Sequence, residues 1–137
     1  MTRFLFLTVV LGLTIFSFTP PDNLVGKYKV LCHTDAYYEI DLHPDSTFKQ
    51  RNFVVWDKCI TEGKWKVNAD TLFLDIKTVY EVTGKRKQTQ VTDTSSHIYK
   101  IAMKHSSYKI KQEKLLMLYK MSDTTIIPTC WLTKIKN

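Results

Sequence analysis

The chain has 137 residues, 44% of them hydrophobic and 24% charged, with a formal net charge of +7. That length gives room for one domain with one core. Only four glycines occur, so a Gly-rich phosphate loop and a Gly-x-Ser-x-Gly nucleophile turn are both excluded.

Residues 1–20 read as an address rather than as structure. Arg3 supplies a positive start, Phe4 to Phe18 is almost entirely apolar, and Pro20-Pro21-Asp22-Asn23 breaks the run. This is the layout of a secretory signal peptide. Its apolar core of 15 residues is shorter than the roughly 20 that span a bilayer. No Leu-x-x-Cys lipid-attachment box follows, so secretion or a periplasmic location without a lipid anchor is expected.

The remaining charge is uneven. Residues 21–97 carry 11 basic and 11 acidic side chains, whereas residues 98–137 carry 8 lysines and 2 acids. A basic face can serve nucleic acid or an anionic membrane. Here Lys109, Lys111, Lys114 and Lys120 lie in or beside strand-like runs, where lysines keep the outer face of a sheet wet. No RNA-binding aromatic motif or groove-reading helix accompanies them, so no nucleic-acid partner is expected.

Period-two alternation dominates the domain, residues 24–135. Gly26 to Val30 opens it. Tyr38, Ile40 and Leu42 share one face, with Glu39, Asp41 and His43 on the other. Pro44-Asp45-Ser46 makes a turn, because proline presets φ while aspartate and serine bond their own backbone. The next strand runs from Thr47 towards Val55. Gln50 and Asn52 share a side with Phe48, so either a bulge intervenes or two amides line the interior. Asp57-Lys58 marks a loop.

A pattern then occurs twice, 43 positions apart. Trp65-Lys66-Val67-Asn68-Ala69-Asp70-Thr71-Leu72-Phe73-Leu74 matches Tyr108-Lys109-Ile110-Lys111-Gln112-Glu113-Lys114-Leu115-Leu116-Met117. Each copy is an inward aromatic, a lysine, a β-branched residue, a polar turn with an acid, and a returning apolar strand. Between the copies, Lys85-Arg86-Lys87 forms a mobile hairpin end. Tyr99, Ile101 and Met103 read as a further inward strand stripe, and His105-Ser106-Ser107 as a turn. A final strand spans about Thr129 to Ile135. No amphipathic helix is expected, because the runs are rich in Thr, Val, Ile and Tyr. The fold class is therefore all-β: a single antiparallel up-and-down barrel of about eight strands.

Three motifs carry a family resemblance: Gly26-Lys27-Tyr28-Lys29-Val30, Leu42-His43-Pro44-Asp45-Ser46-Thr47-Phe48, and Gly63-Lys64-Trp65-Lys66-Val67 with Asp70 to Leu74. Their order resembles the small exported lipocalin-like proteins of bacteria, within the calycin group. The resemblance covers about residues 24–135 and implies a barrel that can hold a small ligand. True lipocalins place Gly-x-Trp on the first strand, with a late-strand arginine across the ring. This chain has Tyr28 and Lys134 at those places.

Chemistry is sparse. Cys32, Cys59 and Cys130 allow one disulfide in an oxidising compartment, with three pairings open. Cys32 with Cys59 is the expected one, because both flank the early strands, and three free buried thiols are the alternative. His33, His43, His97 and His105 show no metal-ligand spacing, so no metal and no cofactor are expected. His43 and His105 fall at turns, where a solvated histidine needs no explanation. Glu39 and Asp41 share a face and read as outer ion pairs. Nothing assembles an enzyme's cleft.

The aromatic stock points to binding instead. Tyr38, Phe48, Gln50, Trp65, Tyr99 and Tyr108 are the candidate ligand-binding residues, because inward tyrosines and amides need polar partners. The expected partner is a small hydrophobic or amphipathic molecule, held by a monomer without stable membrane insertion. The alternative is a filled barrel acting as a protein-interaction or envelope-stabilising module, with no small-molecule ligand.

Overall fold

The computed structural model describes residues 21–33 and 36–136, with backbone alone at 31–33. The expected signal peptide, 1–20, lies outside them. A 3-10 turn at Asp22–Leu24 precedes β1 (Gly26–His33), β2 (Ala36–Leu42), β3 (Thr47–Val54), β4 (Lys58–Asn68), β5 (Thr71–Thr83), β6 (Lys87–Gln90), α1 (His97–Lys104), β7 (Ser107–Lys111), β8 (Lys114–Lys120) and β9 (Ile126–Lys134). Every pairing is antiparallel. β1 to β5 pair in sequence, β5 passes to β7, and β9 returns to β1, which closes an eight-stranded barrel. β6 lies outside the ring and pairs only with the far end of β5.

Both copies of the repeat form the same hairpin. Trp65 pairs with Leu74 and Tyr108 with Met117. Each loop has two residues, the first in the left-handed region: Ala69 at φ 54° and Gln112 at φ 56°. Leu72 pairs with Tyr108, so the copies lie side by side. Gly63 sits at a register shift between β4 and β5, where a Cβ would collide with the Asp75 carbonyl oxygen.

The turn after β2 also forms as expected. Asp45 Oδ1 accepts from Thr47 N at 3.0 Å and from Thr47 Oγ1 at 2.6 Å. The β2–β3 and β3–β4 registers run without a shift through Gln50 and Asn52. Of the two readings of that strand, inward-facing amides are the one that holds, and both side chains are buried. On the outer face, Glu39 meets Arg51 at 2.7 Å, Lys27 at 3.7 Å and the Tyr37 hydroxyl.

Four expectations need correction. Residues 97–104 are helix, not strand. The Ser96 hydroxyl accepts from Tyr99 N at 3.2 Å and so caps the first turn. Tyr99 and Met103 are four apart, so they share a helix face as readily as a strand face. Secondly, His105 is not solvated; it is 5% exposed. Thirdly, Cys59 is a free buried thiol while Cys130 is disulfide-bonded, so Cys32 does not pair with Cys59. Fourthly, the last strand begins at Ile126.

The loops after β2, β4 and β7 lie at one end, and this end is closed. The Tyr28 hydroxyl donates to Leu24 O at 2.9 Å, and Trp65 Nε1 donates to His43 O at 3.1 Å. Lys134 Nζ donates to Asn23 O at 2.9 Å and stands 5.9 Å from the Tyr28 ring centre. Ile40, Leu42, Phe48, Leu72, Leu115 and Leu132 fill this half around Tyr28 and Trp65.

A candidate binding site at the open end

The loops after β3, β5 and β8 lie at the opposite end, and α1 packs across part of it. Ala102 is fully buried against Cys59 of β4 and Val79 of β5, with Ile98, Tyr99 and Met103 around them. His105 follows α1 and enters the barrel's polar layer. Its ring centre lies 5.6 Å from that of Tyr38 and 5.0 Å from that of Tyr119, edge-on to the latter.

Below His105 the interior is polar and ordered. Gln50 Nε2 donates to His105 O at 3.2 Å and also to the Tyr108 hydroxyl. Thr61 Oγ1 donates to Gln50 Oε1 at 2.9 Å. Burial pushes the Tyr108 phenol far above its ordinary range. The Gln50 amide is thereby occupied on both sides.

Asn52 is the exception. It is 2% exposed and makes no hydrogen bond to another nitrogen or oxygen; its amide meets the Cys59 thiol instead. It stands between Tyr38 on β2 and Cys59 on β4. Burial pushes the Cys59 thiol up to about 11, against a lowering influence from the neighbouring Asn52 amide and a raising one from Asp57.

Directly above lies a cavity of about 310 Å³ walled by Tyr38, Val54, Asp57, Ile101, His105, Tyr119 and Thr129. Asn52 is one inward position below Val54 and directly across from Tyr38. His105 Nδ1 lies 3.1 Å from Ile101 O. The tautomer that donates there leaves Nε2 as an acceptor. Burial holds the His105 pKa below 6.5, with Lys104 lowering it further and the Ile101 hydrogen bond opposing, so the neutral ring dominates at pH 7. Burial also raises the Tyr38 phenol. The site therefore offers flat aromatic walls and a neutral imidazole, with the Asp57 carboxylate and the Thr129 hydroxyl in the same wall.

The six sequence candidates are spread over three levels. Tyr38 walls the cavity. Gln50 and Tyr108 form the hydrogen-bonded layer beneath it. Phe48 and Trp65 belong to the filled closed half, and Tyr99 packs on α1 against Cys59 and Val79. His105, Asp57 and Ile101 were missed because their segments read as a turn, a loop and a strand. Tyr119 was legible as inward-facing beyond Met117.

A wider cleft of about 620 Å³ runs along the closed end past Lys27, Asp41, Glu113, Lys134 and Lys136. It is a charged surface groove without an aromatic wall. Among the described residues, no three His, Cys, Asp or Glu side chains converge to hold a metal ion, and no helix is long and apolar enough to cross a membrane. Comparison with protein-family models, with curated proteins and with solved structures finds no match.

Proposed function

We propose that this chain is an exported, lipocalin-like barrel that holds one small, partly apolar molecule, without covalent chemistry, in its open end. The observation that carries this is a cavity of about 310 Å³ at the open end, walled by the rings of Tyr38, His105 and Tyr119. That volume lies at the lower end of ligand pockets, ~300–1,000 Å³. A flat apolar body would lie among Tyr38, Ile101, His105 and Tyr119, with Asp57 and Thr129 in the same wall to meet a polar group.

The closed eight-stranded barrel is the fold that the lipocalin resemblance implies. Export is supported by the apolar run of residues 4–18 and by the disulfide at Cys130, which suits an oxidising compartment. Cys59, beside the site, is a poor nucleophile, because burial keeps its thiol protonated.

The test uses N-phenyl-1-naphthylamine, an apolar dye that brightens on leaving water. Saturable binding of one dye per chain is expected. Val54→Trp, which fills the cavity from its β3 wall, should abolish it, while Trp65→Phe at the closed end should leave it intact. Absent binding, or equal binding in Val54→Trp, sinks the reading.

A further inference from the structure

We propose that the open end docks reversibly on an anionic lipid surface, with the β3–β4 and β8–β9 turns entering the headgroup region. The first turn shows Val55 47% and Trp56 90% to solvent. At the second, Met121 is 54%, Ile126 57% and Ile127 40% exposed. Turn tips ordinarily carry small polar residues. Lone exposed apolar side chains are common on any surface, but these lie on two turns of the same barrel end. Val54 and Asp57 bracket one turn, Tyr119 and Thr129 the other, and all four wall the same cavity.

Positive charge accompanies the tips. Lys58 follows Asp57, Lys120 precedes Met121, and Lys104 Nζ sits 5.7 Å over the Tyr119 ring. The β5–β6 turn at this end adds Lys85, Arg86 and Lys87, all exposed. Asp57 Oδ1 lies 3.2 Å from His97 Nε2, and Asp123 Oδ1, 3.7 Å from Lys120 Nζ, offsets that lysine, so the net positive charge rests on Lys58, Lys104 and the β5–β6 turn.

A lipid surface fits this layout better than a protein partner does. Stable protein interfaces need a continuous patch, ~800 Å² on each side. Two separate apolar tips suit fluid headgroups, which close around each, better than a folded partner that needs one continuous patch. Tryptophan also favours the boundary between water and acyl chains, where its ring and N–H find different surroundings. Docking of this kind would turn the cavity's opening towards the bilayer, yet it stands whether or not the cavity takes a ligand.

The experiment reads tryptophan emission of the full chain with phosphatidylcholine vesicles containing phosphatidylglycerol, brominated in the upper acyl chain. Tryptophan occurs only at positions 56, 65 and 131, so attachment through residues 1–20 does not itself report. Expected are quenching with a blue shift, loss of that quenching in Trp56→Phe, and several-fold weaker partition in the double variant Trp56→Ser with Ile126→Ser. High salt should also weaken partition, because at 1 M the screening length falls to ~3 Å. Quenching that persists in Trp56→Phe, partition equal on pure phosphatidylcholine, or Trp56 shielded instead by a second copy in sedimentation runs would overturn the proposal. Dye binding in the cavity is read separately, so either idea can fail alone.

Discussion

The two halves of the barrel are built from the same strands but solve different problems. In the closed half the buried inward positions are apolar or are aromatics whose polar atom reaches a backbone carbonyl, as Tyr28 reaches Leu24 and Trp65 reaches His43. In the open half the same inward positions carry Gln50, Asn52 and Thr61, and α1 covers only part of the opening. The first half stabilises the fold. The second keeps a cavity and a polar layer whose burial stabilises the fold less than apolar packing would.

Trp65→Ala should break the closed half most severely. It empties a large fully packed position and should cost about 3–5 kcal/mol in urea unfolding. Tyr38→Ala at the cavity wall should cost clearly less, because that side chain already borders empty space. Equal losses would mean that the halves are packed alike.

Tyr108→Phe and Gln50→Leu test the layer between the halves. Each single change leaves buried polar atoms unpaired and should cost about 1–3 kcal/mol. The double variant should lose less than the two singles together, because the partner groups leave at once. Strict additivity in urea unfolding would show that the layer does not act as a unit.

The smallest effect should appear as acid sensitivity in two steps. His105 has a folded pKa below 6.5, so the unfolded chain takes up its proton first and stability falls as pH drops through that region. Glu39 behaves differently. Burial alone would raise its pKa, but the Tyr37 hydroxyl, Lys27 and Arg51 outweigh burial and lower it. Its contribution is present above the ordinary carboxylate range and is lost at lower pH, through its folded pKa. In melting temperatures measured against pH, His105→Phe should remove the upper step and Glu39→Gln the lower. An unchanged upper step would place His105 in water rather than between Tyr38 and Tyr119.

The strands were legible because their signal is local. Tyr38, Ile40 and Leu42 alternate cleanly, Pro44-Asp45-Ser46 closes on its own side chains, and the Trp65 and Tyr108 hairpins are spelled out in full. The helix was not legible, because Tyr99, Ile101 and Met103 satisfy the strand period while Ile98, Ala102 and His105 satisfy the helical one. Packing of Ala102 on Cys59 and Val79 decides between them, and those residues are far away in sequence. The candidate site suffered for the same reason: an inward aromatic can fill or line, and composition does not distinguish Trp65 from Tyr38.

By itself the sequence determined the period of its strands, the places where they turn and the sidedness of their residues, because these depend on neighbours two to four positions apart. Only the tertiary structure decided which inward residues lie in the filled half, which meet the cavity, and that His105 is drawn in between two tyrosines. Those outcomes depend on how the ring closes from β9 to β1 and on where α1 comes to rest, and such long-range packing leaves no mark in any short stretch of chain.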